Sequence, residues 1–176
     1  MANKHPLSQF HFCPKCGSPH FVEHNEKSKH CENCGFTYYF NPSAATVAVI
    51  INEQKELLVC RRGKEPAKGT LDLPGGFSDC FETSEEGVAR EVKEETGLNV
   101  MHTEFLFSLP NTYLYSDFLV HTIDFFFRCA VSDYKEAHAM DDAAELQWIP
   151  LSDLRPELFG LESVRKGITK LLHLLK

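Results

Sequence analysis

The sequence predicts an α/β protein in which a mixed sheet lies between helices, preceded by a small cysteine-rich segment. Three observations predict this architecture. Runs of β-branched and aromatic residues alternate with two helical patterns, over residues 84–96 and 161–175. Strands and helices that alternate in this way pack as layers around one core. Two Cys-x-x-Cys motifs precede all of these elements, so we divide the chain into residues 1–42 and 43–176.

Composition and charge exclude several classes of protein. Hydrophobic residues make up 43% of the 176 residues, which is enough to bury a core and atypical of disordered chains. Because 18 Lys and Arg stand against 25 Asp and Glu, the net charge of -7 disfavours nucleic acid and anionic membranes as partners. The opening MANKHPLSQF lacks the apolar stretch of a secretion signal, and no apolar run is long enough to span a bilayer. We therefore expect a cytoplasmic protein.

Four of the seven cysteines form two pairs, each followed by a glycine: Cys13 with Cys16, and Cys31 with Cys34. A Cys-x-x-Cys turn directs two sulfurs at one point, and the spacing of the two pairs is typical of a zinc ribbon. Two disulfides or a redox-active pair are the alternatives. A closed site of four thiolates leaves no position for a substrate, so the predicted role of Zn²⁺ is structural. The scattered Cys60, Cys80 and Cys129 are predicted to be small buried residues.

The remaining chain supplies the strands and helices of the main domain. Residues 45–63 are typical of a hairpin around the polar stretch 52–56, and further strands are predicted near 104–108, 113–115, 118–131 and 144–150. The C-terminal segment has apolar residues at helical spacing, namely Leu161, Val164, Ile168, Leu171, Leu172 and Leu175. We expect this stripe to pack on the sheet. The alternative is pairing with a second subunit, which would make a homodimer.

A helix is predicted over residues 84–96 from signals at both of its ends. Thr83 and Glu86 have the spacing of a capping box, and Gly97 provides a C-terminal stop. At 3.6 residues per turn, one side of the helix carries several glutamates, and Arg90 lies one turn before Glu94 on that side. The opposite face, which is expected to pack inward, carries Ala89, Val92 and Thr96.

The glutamates on this helix are Glu91, Glu94 and Glu95. Like charges at this spacing repel one another, so a positive partner is expected. Mg²⁺ is bound by a few carboxylates together with substrate phosphates, although a solvated acidic face is the alternative. The preceding LPGG has no side chain at Gly75 and Gly76, so its backbone can approach a metal or a phosphate closely. The sequence therefore predicts one pocket formed by a strand, a glycine turn and an acidic helix.

Residues 76–98 match the Nudix box, G-x5-E-x7-R-E-U-x-E-E-x-G-U with U aliphatic, at every fixed position. The chain thus resembles the Nudix hydrolases over residues 43–176, and Arg61, Arg62, Gly69 and the segment around Trp148 extend the resemblance. A ribbon that leads directly into such a domain is similar to the NADH pyrophosphatase and ADP-ribose pyrophosphatase group. The resemblance implies a Nudix α/β/α sandwich with a mixed sheet.

The resemblance also implies an activity. It is the hydrolysis of the pyrophosphate bond in a nucleoside diphosphate linked to another moiety, with Mg²⁺ or Mn²⁺ as the catalytic ion. The leading small-molecule substrates are ADP-ribose and NADH, and the products are a nucleoside monophosphate and a second phosphate ester. The alternative is a noncatalytic nucleotide sensor or an RNA-associated module. Such sensors often lose carboxylates of the box, and this chain retains all of them.

Roles for individual residues follow from the same resemblance. The implied ligands of the catalytic ion are the carbonyl of Gly76 and the side chains of Glu94, Glu95 and Glu91, of which Glu91 is alternatively a proton acceptor. Arg90 is expected to orient the carboxylates, and Glu82 to support the loop or the metal shell. A general base from a distal loop is the alternative, and the matching region holds Glu145, Asp141 and Asp142. Arg61 and Tyr113 are the candidates for substrate binding.

Three departures from the family pattern concern the substrate. The NADH pyrophosphatase group carries S-Q-P-W-P-F-P-x-S after the box, and this chain keeps only Ser108 and Pro110 of that run. Leu71 and Phe81 replace a usual Trp and Gly. We therefore expect no strong preference for NADH over ADP-ribose.

Overall fold

The computed structural model describes residues 5–140 and 143–175. Its N-terminal part is a three-stranded antiparallel sheet of β1 (Phe21–Asn25), β2 (Ser28–Cys31) and β3 (Thr37–Tyr39). Gly17 and Gly35 follow the two cysteine pairs and adopt positive φ angles of 73° and 72°, which glycine reaches without steric penalty. Each donates its N–H to the first cysteine of its pair, which closes the two turns.

Six strands and two helices follow. The strands are β4 (Ser43–Val49), β5 (Glu56–Arg62), β6 (Leu71–Asp72), β7 (Val100–Tyr115), β8 (Phe118–Val131) and β9 (Ala143–Pro150). They are arranged in the orders β4-β8-β7 and β6-β5-β9, in which β4 runs parallel to β8 and all other pairs are antiparallel. The helices are α1 (Ser84–Thr96) and α2 (Glu162–Leu174), and 3-10 turns lie at Tyr134–Glu136 and Pro156–Leu158. Within the described residues, no helix combines the length and the apolar character that crossing a bilayer requires.

The end of β4 is buried on both faces, with one face against each helix. Along β4, Val47 and Val49 join a core with α2, whereas Ala48 and Ile50 join a second core with α1. This alternation is the two-residue period of a strand. The layers are thus helix, sheet and helix, which confirms the predicted sandwich. The apolar stripe of α2 packs on the sheet as expected, with Val164, Ile168 and Leu171 at most 2% exposed.

Helix α1 begins and ends where the sequence predicts. The Thr83 hydroxyl accepts a hydrogen bond from the Glu86 N–H (3.2 Å), and the Glu86 carboxylate accepts one from the Thr83 N–H (2.7 Å). Gly97 ends the helix at a φ of 73°. The inward face differs from the prediction because Val88, and not Ala89, packs in the core. Glu95 also lies on this buried side, so the glutamates of α1 do not share one environment.

Strand β7 is continuous where the sequence indicates two separate runs. It passes through Pro110, which has no N–H to donate. β7 is an edge strand, and proline is tolerated there because one side of the strand needs no partner. The turn into β8 uses Ser116 and Asp117 at φ angles of 50° and 58°, as a two-residue hairpin turn requires.

The ribbon contacts the tip of this β7–β8 hairpin. The rings of Phe10 and Phe40 lie edge-on to the ring of Phe118, with centroid distances of 5.6 and 5.8 Å. Gln9 donates its side-chain amide to the carbonyl of Asp117 (2.6 Å). Residues that precede β1 and a residue that follows β3 therefore contact the turn of the hairpin.

Cys80 and Phe81 are neighbouring exposed residues in the loop between Gly76 and α1. The prediction that Cys80 is buried is wrong, whereas Cys60 and Cys129 are buried as expected. Phe81 is fully exposed and adopts a φ of 72°. A residue with a side chain in this left-handed region is disfavoured by about 1–2 kcal/mol, and the Phe81 ring gains no burial in return. This explains why glycine is usual at this position in the family pattern.

We expect Phe81→Gly to raise the free energy of unfolding by roughly 0.5–1 kcal/mol, because relief of the strained φ exceeds the added entropy of glycine in the unfolded chain. Urea denaturation measures the change. Cys80→Gly is the matched control, since Cys80 is an exposed neighbour without a positive φ, and it should lower stability. A Phe81→Gly variant no more stable than the original chain would contradict this account.

Candidate active site

Arg90 on α1 binds three of the acidic residues that the sequence singles out. Its Nε and Nη2 atoms donate to the two carboxylate oxygens of Glu82, at 3.1 and 2.8 Å. Its Nη1 donates to Glu91 (2.8 Å) and to Glu94 (3.2 Å), and Nη2 also donates to the carbonyl of Phe77 (3.0 Å). The two-pronged contact with Glu82 is the strongest geometry for an arginine–carboxylate pair. One guanidinium thus fixes the loop before α1 and two glutamates of the helix.

The pKa values of the carboxylates in this network are shifted in different directions. Hydrogen bonds from Arg90 hold the pKa of Glu82 below its ordinary value. Burial raises the pKa of Glu91 above its ordinary value, although the charge of Arg90 opposes this. The hydrogen bond to Glu82 is the main reason that the pKa of Arg90 is raised, so the guanidinium stays charged. Arg90 therefore supplies part of the positive charge that the acidic helix needs.

The glycine turn brings its backbone against the carboxylates of α1. Gly75 has a φ of 149°, and a Cβ there would lie 2.0 Å from the carbonyl oxygen of Thr46, so only glycine fits. Its N–H donates to the Glu95 carboxylate at 3.0 Å. A Cβ on Gly76 would lie 2.6 Å from a Glu91 oxygen. The Gly76 carbonyl accepts the Thr46 N–H at 2.8 Å and keeps a second lone pair for another partner.

These oxygen donors fit an open Mg²⁺ site better than a closed one. In the part of the chain that the structure describes, no three carboxylates bring their oxygens within 4.8 Å of one another, a criterion that only the cysteine cluster meets. Mg²⁺ prefers hard oxygen ligands and usually combines one or two carboxylates with waters and substrate phosphates. The arrangement of Glu95, Glu91 and the Gly76 carbonyl is of this incomplete kind.

A cavity of about 470 Å³ extends from this turn along the face of the sheet that α2 covers. Its wall includes Gly75, Gly76 and Glu95 at one end and Tyr113 of β7 further along. The volume lies within the range of small-molecule sites, which is about 300–1,000 Å³. Burial raises the pKa of the Tyr113 hydroxyl, which therefore remains protonated at neutral pH. The structure thus joins the acidic helix to a pocket of ligand size.

The cavity wall also contains two buried acids that the sequence analysis did not identify, Asp72 and Asp124. Arg62 donates to the carboxylate of Asp72, whose pKa is raised by burial even though Arg62 opposes the shift. The carboxylate of Asp124 accepts hydrogen bonds from the Thr122 and Ser163 hydroxyls, both at 2.5 Å. Buried charges need such partners. The sequence does carry a signal for these two residues, because Asp72 and Asp124 are single acids inside the apolar runs LDL and TIDFFF.

Arg61 and Glu145 lie together, but they do not line this cavity. Their side chains form an ion pair at 3.1 Å on paired residues of β5 and β9, where Arg61 is half-buried and Glu145 is exposed. Arg61 also donates to the carbonyl of Gly69 at 2.8 Å. Asp141 and Asp142, the other candidates for a distal base, lie outside the described residues. The roles assigned to these residues stay predictions.

The four paired cysteines form a second, separate site. Their sulfurs all lie within 4.8 Å of one another, with Cys13 to Cys34 at 3.8 Å and Cys16 to Cys31 at 3.7 Å. A disulfide needs about 2.0 Å, whereas sulfurs about 2.3 Å from a tetrahedral zinc are about 3.8 Å apart. A hydrogen bond from the backbone of Ser18 is the main cause that lowers the pKa of Cys16 to about 6, toward the thiolate that a metal requires. The geometry fits zinc.

Comparison with known proteins identifies the family of each part of the chain. The family model of the NUDIX domain matches residues 41–172. The chain belongs to the NUDIX family. The model of the NADH pyrophosphatase zinc ribbon domain matches residues 8–39, which precede the Nudix match directly. The predicted combination of a zinc ribbon and a Nudix hydrolase domain is thereby confirmed.

Two curated relatives are named as hydrolases. The Nudix chain is 37% identical over 133 residues to an ADP-ribose pyrophosphatase of Methanocaldococcus jannaschii, covering 74% of this chain and 75% of that protein. It is 29% identical over 150 residues to the NAD-capped RNA hydrolase NudC of Vibrio atlanticus, covering 85% of this chain. The match spans 53% of the length of that NudC.

Among solved structures, the Nudix chain is similar to a NUDIX hydrolase from Nitrosomonas europaea. The TM-score is 0.71 at 20% identity, and the match covers 92% of this chain and 90% of the other. At this identity the likeness concerns the fold alone. It confirms the Nudix fold that the sequence predicts.

Proposed function

We propose that this Nudix protein hydrolyses the pyrophosphate bond of ADP-ribose or of an NAD-like dinucleotide, with Mg²⁺ or Mn²⁺. The observation that carries the proposal is the junction of the Gly75–Gly76 turn and Glu95 with a cavity of nucleotide size. The names of the two curated relatives support this choice of substrates. An intact set of box carboxylates favours an enzyme over a noncatalytic sensor.

The residues of the site have distinct roles in the proposed reaction. When bound, Mg²⁺ offsets the negative charge of the diphosphate and lowers the pKa of an attacking water. Glu95, Glu94 and the Gly76 carbonyl would hold the ion, with Glu91 as a further ligand or as the proton acceptor. Arg90 positions Glu91 and Glu94 without contacting substrate, and Glu82 fixes Arg90 through its two-pronged hydrogen bond. A base from the region of Glu145, Asp141 and Asp142 is the alternative proton acceptor.

The reaction is a substitution at phosphorus. The water oxygen forms the new bond to one phosphorus, the bridging P–O bond breaks, and the bridging oxygen leaves with the second phosphate. One proton of the water passes to the base. ADP-ribose gives AMP and ribose 5-phosphate, and NADH gives AMP and the reduced nicotinamide mononucleotide.

In the N-terminal part, we propose that Cys13, Cys16, Cys31 and Cys34 hold one structural Zn²⁺. The sulfur spacing and the match to a zinc ribbon support this assignment. We also propose the division of the chain at residues 42 and 43, directly before β4. The ribbon then ends with Phe40 against the hairpin of the Nudix domain.

Incubation of the purified protein with Mg²⁺ and a panel of nucleoside diphosphate derivatives should yield AMP from ADP-ribose, identified by mass spectrometry. We expect kcat/KM for NADH to lie within ~10²-fold of that for ADP-ribose, because a few apolar contacts control no more than this ratio. A larger preference for NADH would show that the shortened motif at Ser108 and Pro110 suffices for selection. Absence of any product would favour the alternative function, a noncatalytic nucleotide sensor.

A further inference from the structure

Asn111 on β7 is a buried amide whose oxygen lacks a hydrogen-bond partner. Its side chain is 5% exposed, and within the described residues no donor reaches its Oδ1. Leaving such a group unpaired in the folded chain is unfavourable. Native proteins contain few of them, and each calls for an explanation.

The position of Asn111 points to a ligand. It lines the cavity that also contains Gly76 and Glu95, so it faces the same space as the proposed metal ligands. Its register partner on β8 is Thr122, whose hydroxyl is already committed to Asp124. Thr122, Asp124 and Ser163 are engaged with one another, whereas the Thr46 hydroxyl and the Asn111 amide oxygen are both buried without a partner. The amide oxygen of Asn111 is therefore left to an incoming group.

The walls beside Asn111 are aromatic. Tyr113 and Tyr115 follow it at the two-residue spacing of one strand face, and both line the cavity together with Phe77. Flat aromatic side chains favour stacking with a flat ring. A side-chain amide pairs well with the edge of a ring that presents a donor beside an acceptor, as Asn does with adenine. A sugar without an attached ring would neither stack on the aromatic side chains nor pair with the amide in this way.

We propose that Asn111 is a specificity-determining residue that binds the amide-like edge of an aromatic ring in the substrate. This inference rests on the proposed function, because it identifies the part of the dinucleotide that enters the cavity. Adenine, through its amino group and ring nitrogen, and nicotinamide, through its carboxamide, share the required chemistry. The phosphates then extend toward Gly76 and Glu95 at the other end.

Calorimetric titration with AMP, nicotinamide mononucleotide and ribose 5-phosphate in the presence of Mg²⁺ tests the proposal without turnover. We expect Asn111→Leu to weaken binding of AMP or of nicotinamide mononucleotide about tenfold or more, as loss of two hydrogen bonds predicts. Binding of ribose 5-phosphate should change less than about twofold. The ligand that loses affinity identifies the ring. Asn111→Ala serves as a second variant, since it introduces no bulk should Leu fit poorly.

The thermal stability of the free variants separates recognition from a structural role. Asn111→Leu should raise Tm without ligand, because it removes an unpaired buried group. Ser28→Ala is the matched control: Ser28 of β2 also has a buried hydroxyl without a partner, but it lies in the ribbon outside the cavity. It should leave every nucleotide affinity unchanged.

Several results would overturn the proposal. These are unchanged affinity for both ring-bearing probes in the Asn111 variants, an equal loss for ribose 5-phosphate, and absence of binding of both ring-bearing probes to the original chain. Unchanged affinity for both ring-bearing probes would mean that only water forms hydrogen bonds with the Asn111 amide. The proposed hydrolysis is judged separately by product formation. Asn111-dependent binding without hydrolysis would refute the activity and leave this site standing.

Discussion

Glu95→Gln is expected to lower kcat by at least ~10²-fold while the fold is retained, the scale that follows loss of a charge-stabilising group. Glu95 is 9% exposed, lines the cavity and accepts the Gly75 N–H. A glutamine oxygen can still accept that hydrogen bond, but a neutral amide is a poor ligand for Mg²⁺. Glu94→Gln should act in the same direction. Steady-state kinetics with ADP-ribose measures the loss, and circular dichroism checks the fold.

Glu85→Gln is the matched control for this prediction. Glu85 is exposed in the first turn of the same helix, so its substitution changes the charge of α1 equally without touching the cavity. We expect it to retain activity within about twofold of the original chain. If Glu95→Gln and Glu94→Gln both kept full activity, the assignment of these residues as metal ligands would be refuted.

Cys13→Ser is expected to abolish zinc binding and to unfold residues 10–40 before the Nudix domain unfolds. Cys13 is 2% exposed and forms the small ribbon core with Phe21 and Cys31, so few apolar contacts remain without a metal. Binding of structural zinc supplies about 10–16 kcal/mol of apparent free energy in small zinc peptides. Elemental analysis should find about one zinc per chain before the substitution. Hydrogen exchange should locate the loss of protection in the ribbon.

Cys80→Ser is the control for the loss of a thiol. Cys80 is exposed in the loop before α1 and lies outside the cysteine cluster. Its substitution should leave the zinc content and the exchange pattern of the ribbon unchanged. Protein from a reducing cytosol that contained two disulfides and no zinc would contradict the assignment of all four cysteines.

Local signals explain what the sequence predicted well. The capping box at Thr83 and Glu86, the stop at Gly97 and the cysteine pairs depend on residues within a few positions of one another. Their geometry is set by backbone conformation, so the bounds of α1 and the paired turns of the ribbon follow without knowledge of the rest of the fold. The spacing of apolar residues in α2 similarly predicts its buried stripe.

Features that depend on distant parts of the chain were not predictable in the same way. The pairing of Arg62 with Asp72 and of Asp124 with Ser163 requires knowing which strands and helices meet. The continuity of β7 through Pro110 depends on its place at the sheet edge. The buried environment of Glu95, in contrast to exposed Glu94, follows from how α1 docks on β4.

The contact of the ribbon with the β7–β8 hairpin joins two parts of the molecule that differ in chemistry. Phe10 and Phe40 hold Phe118 at the tip of the hairpin, and the same hairpin contributes Asn111 and Tyr113 to the cavity. We therefore expect order at the tip to be thermodynamically linked to order in the wall. Linkage is reciprocal, so a chain without zinc would hold its ligand less tightly, and a ligand in the cavity would increase the affinity of the cysteines for zinc.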